Sequence, residues 1–530
     1  MSVDNGAEFG AEKKVETVVI GAGPAGLTAA YLLAKKGRSV WVLEADSKYV
    51  GGISKTARYK DFLFDIGGHR FFSKSQQVED FWTEILGKDL LHRPRSSRIY
   101  YKNKLFAYPL NATEALRKLG LVESLLCILS YFRAKLLPIR PVVSFRDWVT
   151  NQFGRRLFRI FFETYTEKVW GMRCEEISAD WAAQRIRGLS LGAAIRNAFF
   201  KTKSRNPSGD RSGIVKTLID SFRYPRQGPG MMWEECARRT QSLGAKILMG
   251  ARVNRLEYQE ASRTWTIYFQ TQANGKEESL IADHLISSAP ISELGQFLKP
   301  QISLKTYEAT QTLRYRDFLI AVLILKDRQL FPDNWIYIHD PHVKVGRIQN
   351  FKSWSAEMVP DPTLCSYGLE YFCSEGDELW DRPDIQLLEM AKTELEKLSL
   401  AQAAEILDGC IVRQKKAYPV YDKNYFTCVQ VIKSELQARF PSLHLVGRNG
   451  LHRYNNQDHS MMTAMLTVEN ILKGEKVYDV WMVNEDAEYH EDGKAGENSQ
   501  WIGLRSVPKS VADFTSENRV AADLRRSNKA

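Results

Sequence analysis

The chain has 530 residues, more than a single hydrophobic core organises, so two or more lobes are expected. A hydrophobic content of 44% excludes a disordered chain, and 74 basic against 63 acidic residues leave a net charge of +11. No concentrated basic-aromatic module accompanies that excess, which argues against a nucleic-acid partner and suits a cleft for an anionic cofactor and substrate. The cysteines are Cys127, Cys174, Cys236, Cys365, Cys373, Cys410 and Cys428. Their number is odd and no two form a CxxC pair, which disfavours a disulfide framework and a zinc site. With a polar first sixteen residues lacking a signal-peptide pattern, this points to the cytoplasm.

In chain order, residues 15–20 read as a short buried strand, 21–26 as a tight loop, 25–36 as a helix closed by Gly37, and 39–43 as a second strand ending at Glu44. This is one βαβ unit. Residues 82–137 read as mostly helical around a strand-and-turn stretch at 94–109, and 144–162 as a second helical region. The most apolar helix, 121–137, carries Glu123, Arg133 and Lys135 and stops at Pro138, too short and too charged to span a bilayer. It reads as a packed amphipathic helix; the alternative is peripheral contact with a membrane, with Arg133 and Lys135 at the headgroups. Residues 197–213 read as a mobile loop. Residues 246–256, 265–269 and 283–289 read as strands, the last returning to the nucleotide sheet. Residues 318–326, 335–339 and 367–373 read as an antiparallel sheet of a second lobe, 444–447 as a strand and 460–472 as a long helix. From 493 to 530 the composition is polar and basic without periodicity, the pattern of a disordered tail.

Gly21-Ala22-Gly23-Pro24-Ala25-Gly26 is a GxGxxG between a strand and a helix. Gly21 permits the turn, Gly23 lets the backbone approach a pyrophosphate, and Gly26 lets helix and strand pack closely. Glu44, eighteen residues beyond Gly26, stands where a ribose-binding carboxylate belongs. His339 and His342 flank Asp340-Pro341 without a third clustered ligand, so no metal site is assigned.

Four further stretches carry a resemblance. Gly51-Gly52 and Phe64-Asp65-Ile66-Gly67-Gly68-His69 resemble the second phosphate contact and the sub-flavin backbone of FAD enzymes in the amine oxidase and protoporphyrinogen oxidase superfamily. Oxidases of that group end on a strand followed by Gly-Asp; here the pair is Gly447-Arg448, with Tyr454 six residues on and Asn456-Gln457-Asp458-His459-Ser460 behind it, which resembles UDP-galactopyranose mutases. Tyr165-Thr166-Glu167-Lys168-Val169-Trp170-Gly171 is similar to their Tyr-Thr-x-Lys-x-Trp-Gly motif. The resemblance implies an α/β fold with an FAD-binding Rossmann-like lobe, a helical insertion and an antiparallel-sheet substrate lobe. It implies FAD as cofactor, held by Gly21, Gly23, Pro24, Ala25, Gly26, Glu44, Gly51, Gly52, Gly68, His69, Gly447, Asp458, His459 and Ser460. It assigns His69 and Arg448 to catalysis, and Tyr165, Trp170 and Tyr454 to the substrate. Arg314 and Arg316 are the candidate diphosphate ligands, and Arg185 and Arg187 stand at a distance from Trp170 that fits the mutases' mobile-loop arginine on the substrate side. The implied reaction is ring-size isomerisation of a nucleotide sugar with reduced FAD as nucleophile and NAD(P)H or another donor as reductant. The alternative is an FAD oxidoreductase acting on another small molecule. The segments implied are FAD-binding 15–100, 214–300 and 436–480, a helical insertion 101–213, a sheet lobe 301–435 and a tail 493–530.

Overall fold

The computed structural model describes residues 13–108, 110, 112–179, 221–272 and 275–483. The expected loop at 197–213 and tail at 493–530 lie outside these residues.

The chain opens with β1 (Lys13–Ile20), whose last four residues are all buried, then α1 (Pro24–Lys35) and β2 (Val40–Glu44). Proline at the start of α1 sets φ without sacrificing a hydrogen bond, since the first turn has free N–H groups in any case. The small and aliphatic residues of α1 let it lie buried between the sheet and the helix Gln457–Lys473. β1 and β2 are parallel, pairing Ile20 with Leu43, and β1 also runs parallel to Glu277–Ser287, pairing Ile20 with Ser287. Leu443–Leu445 then joins the far edge of that strand, also in parallel. The carboxyl ends of three strands therefore meet at Gly21, Glu44 and Ser288, the crevice where open α/β sheets bind ligands. The complete sheet has eight strands, extended by Lys246–Met249 on one side and by Ala251–Gln259, Thr264–Thr271 and Leu298–Lys299 on the other. The architecture is mixed α/β with a Rossmann-like nucleotide lobe.

The second sheet differs from expectation. It has seven strands, in the order Ile406–Pro419, Tyr315–Lys326, Leu364–Cys373, Arg347–Asn350, Trp335–Ile338, Ser97–Tyr101 and Lys104–Ala107. The last two come from the stretch read as an interlude in the helical region. Ser97–Tyr101 pairs in parallel with Trp335–Ile338, so the sheet is mixed and not purely antiparallel. The partners stand more than 230 residues apart, beyond the reach of any local pattern.

On one side of this sheet lies the helical part. Ser144 caps Phe145–Phe153 through a reciprocal box with Asp147. The chain then continues through Arg155–Phe158, a π-helical turn at Arg159–Glu163 and Thr164–Trp170, closed by Gly171. Leu121–Leu136 does not pack by its apolar face as its pattern suggests: its buried residues are Ser124, Cys127 and Ala134, while Leu121, Val122, Leu125, Leu129, Phe132 and Leu136 are exposed. No described helix is long and apolar enough to cross a membrane. All seven cysteines are free thiols.

Candidate active site

A cavity of about 760 Å³ runs from the carboxyl ends of β1 and β2, past Gly68 and His69, to the face of the second sheet. Its nucleotide end is built from backbone. A Cβ on Gly26 would lie 1.8 Å from the Gly21 carbonyl oxygen, so only glycine lets α1 sit this close to the loop. At Gly23 the constraint is different: a Cβ there would meet nothing nearer than the Cα of Gly52 at 3.9 Å. Gly23 thus leaves open space in front of the N-terminus of α1, where unpaired N–H groups favour an anion. The Gly51 N–H donates to the Ala22 carbonyl at 2.8 Å, which locks the second glycine loop onto the first. Glu44 accepts from the Ala22 N–H at 2.6 Å and the Asp46 N–H at 2.8 Å, one on each oxygen. Both oxygens keep a lone pair for ribose hydroxyls. Open space at a helix N-terminus, a fixed carboxylate and a long continuous cavity fit an adenine dinucleotide.

Of the residues assigned to this cofactor, Gly21, Gly23, Pro24, Ala25, Glu44, Gly52, Gly68, His69, Gly447, Asp458, His459 and Ser460 line the cavity. Gly26 and Gly51 stand behind it. Asp458, His459 and Ser460 form the first turn of Gln457–Lys473, where the Asn456 N–H donates to His459 Nδ1 at 3.2 Å. His69 Nε2 lies 2.9 Å from the Ile66 carbonyl, which as an acceptor places the proton on Nε2. Nδ1, 3.4 Å from Ser54 Oγ, is then the basic nitrogen. Burial, reinforced by Arg448 and Arg347, pushes the imidazole pKa down to about 4, so His69 is neutral at pH 7.

The opposite end is built from side chains. Tyr165 stacks on His339 with ring centroids 5.1 Å apart and meets Tyr337 edge-on. Lys168, one turn later, donates to the carbonyls of Ile338, Asp340 and Val345 and ties this helix to the sheet. Trp170 packs against Tyr454, which stacks on Tyr418 at 5.4 Å. The Arg448 guanidinium lies over both tyrosine rings and donates to the carbonyls of Asn455 and Ala417. Among the described residues no carboxylate pairs with it. Burial raises the pKa of Tyr165 and Tyr418, so both remain neutral donors.

The arginine candidates fare unevenly. Arg314 is exposed and away from the cavity. Arg316 is spent on structure: its guanidinium donates to the carbonyls of Val169 and Phe372 and to Ser374 Oγ, beneath Gly171. Arg185 and Arg187 lie outside the described residues. The cavity instead receives Arg347, absent from the sequence reading, with Tyr418, His339 and Tyr337. Arg347 is held by Glu370, at 2.6 Å, and Gln349 donates to the second oxygen of the same carboxylate. Burial opposes the Arg347 charge, Glu370 outweighs it, and the pKa lies well above the ordinary arginine value. Arg347, Tyr337 and Tyr418 sit in strands of unremarkable pattern and His339 directly follows one, and only strand pairing brings them to the cavity.

Residues 19–85 match the NAD(P)-binding Rossmann-like domain family. An L-amino-acid oxidase of Crotalus adamanteus is 47% identical over 321 residues, covering 56% of this chain and 55% of that protein. The chain thus spans about half the length of the curated relatives it matches. Reduced UDP-galactopyranose mutase superposes with a TM-score of 0.75 at 22% identity, covering 90% of this chain and 99% of that structure. A redesigned putrescine oxidase superposes at 0.58 and 16% identity, covering 87% and 100%.

Proposed function

We propose that this chain is an FAD-dependent enzyme whose substrate is an anionic small molecule, and that this molecule is a nucleotide sugar whose ring size it isomerises, in the manner of UDP-galactopyranose mutases. The carrying observation is Arg448: a cation without a carboxylate partner, set on two tyrosine rings in the cavity wall. With Tyr165, Tyr418 and Trp170 around it, that wall suits a diphosphate flanked by a base and a sugar.

The nucleotide loop and the start of α1 hold the FAD pyrophosphate, Glu44 its ribose, and Gly68 and His69 the region of its ring. When bound, FAD supplies the electron-rich centre that the side chains themselves lack. Neutral His69 offers an acceptor at Nδ1 and can take up a proton there. Arg448 and Arg347 balance substrate charge, the phenols donate hydrogen bonds, and the aromatic wall excludes water. The free thiols suit a reducing compartment such as the cytoplasm.

The test is incubation with UDP-galactopyranose and UDP-galactofuranose, with and without dithionite. Interconversion only under reducing conditions, without net electron consumption, is the expected result. A second reading rests on the Crotalus relative: an FAD oxidoreductase in which the same cations hold a substrate carboxylate. Oxygen consumption with amino acids, and no interconversion, selects that reading and rejects the first.

A further inference from the structure

The helix Leu121–Leu136 is amphipathic in the reverse sense for a packed helix. Ser124, Cys127 and Ala134 face the protein. Leu121, Val122, Leu125, Leu129, Phe132 and Leu136 face out, with Leu121 92%, Phe132 51% and Leu136 79% exposed. At 100° per residue these six fall within an arc of about 100°, a single stripe about 24 Å long. Beyond the helix end Leu137, Ile139, Val142 and Val143 are exposed as well. Exposed aliphatic residues in one continuous row are uncommon on a protein that keeps this face in water.

The charges choose the occupant. On the helical wheel Arg133 falls at one border of the stripe and Lys135 at the other, with Arg140 beyond the helix end. Among the described residues none of the three pairs with a carboxylate: Lys135 donates to the Asn151 carbonyl, and Arg133 and Arg140 have no ion-pair partner. The helix's one acid, Glu123, lies away from the stripe and is neutralised by Arg156. An aliphatic stripe bordered by cations matches an anionic lipid surface, with hydrocarbon below the headgroups and the basic side chains among them. A second copy fits less well, because a two-fold contact through this face sets its basic borders near one another.

We infer that this face docks the protein on anionic membranes, with the helix lying in the interface plane. It packs on Phe145–Phe153 and Arg155–Phe158, which lead into the segment carrying Tyr165 and Trp170, so a docked protein would hold that side of the cavity near the bilayer.

The test is flotation of the full chain, loaded with its cofactor, with phosphatidylcholine vesicles with and without phosphatidylglycerol. Two variants accompany it: Leu125→Gln/Leu129→Gln/Phe132→Gln and Arg133→Gln/Lys135→Gln/Arg140→Gln. All substituted residues are exposed, and melting temperature and flavin content verify the fold. The wild type is expected to float with the anionic vesicles alone. The apolar triple variant should lose binding roughly tenfold or more, and the basic variant should lose its preference for anionic lipid. Absence of flotation, equal flotation with both vesicles, or full retention by the apolar variant overturns the proposal. So does a lipid-free dimer, seen by light scattering, that the apolar variant dissociates.

Discussion

The two ends of the cavity are made in opposite ways. The nucleotide end draws chiefly on one stretch, residues 21–52, and presents mostly backbone: N–H groups, bare glycine Cα atoms and a carboxylate pinned by two amides. The other end draws Tyr165 and Trp170 from one helix and Arg347, Tyr418, Arg448 and Tyr454 from other parts of the chain, and presents side chains. A backbone site is vulnerable to added atoms. A side-chain site is vulnerable to the loss of whatever holds each group in place.

The largest effect tests the first statement. Gly26→Val places carbon atoms inside the Gly21 carbonyl and should destabilise the fold by about 5 kcal/mol or more, read by urea unfolding. Gly23→Val, facing open space, should keep the fold and lose the cofactor, read as apoprotein of near-normal melting temperature. Equal destabilisation by both substitutions would break the distinction between packing and binding glycines.

Asp65, three residues before Gly68, is fully buried, with Tyr224 donating to it at 2.5 Å and Thr56 Oγ1 at 3.3 Å. Burial pushes its carboxyl up to about 8. The folded state therefore holds a proton that the unfolded chain releases near pH 4. This contribution is complete below about pH 4 and is lost as pH rises through about 8, amounting to about 6 kcal/mol over the window. Asp65→Asn should remove that slope, so the variant gains on the wild type between pH 5 and pH 8 in melting experiments. Parallel pH profiles would show that Asp65 is ionised in the fold.

For the side-chain end, Arg347→Met leaves Glu370 buried without its cation and should cost about 3 kcal/mol or more. Adding Glu370→Gln should restore most of that stability without restoring substrate affinity. Recovery of both would show that Arg347 serves the fold alone. Tyr165→Ala should weaken UDP binding by about 1–3 kcal/mol, measured by titration calorimetry, with flavin content unchanged. The smallest expected effect is that of Arg314→Ala, within about 0.5 kcal/mol in stability and without change in UDP affinity, because the side chain is exposed and remote from the cavity.

The sequence by itself determined the βαβ unit, the glycine loop and Glu44, because these depend on contacts between near neighbours and on glycine where a side chain has no room. The Tyr165–Gly171 and Gly447–Ser460 motifs also marked chain segments that line the cavity, although their roles there rest on resemblance. Only the tertiary structure decided which arginine enters the cavity. Arg314, Arg316 and Arg347 all lie at strand ends or in short strands; the pairing of Arg347–Asn350 with Leu364–Cys373 sets Arg347 beside Glu370, while Arg316 is consumed beneath Gly171. The same holds for the membership of Ser97–Tyr101 in the second sheet and for the outward stripe of Leu121–Leu136. Periodicity shows that a helix or strand has two unlike faces. Which face meets protein is settled by what the rest of the chain brings against it, since burial depends on the partner as much as on the residue.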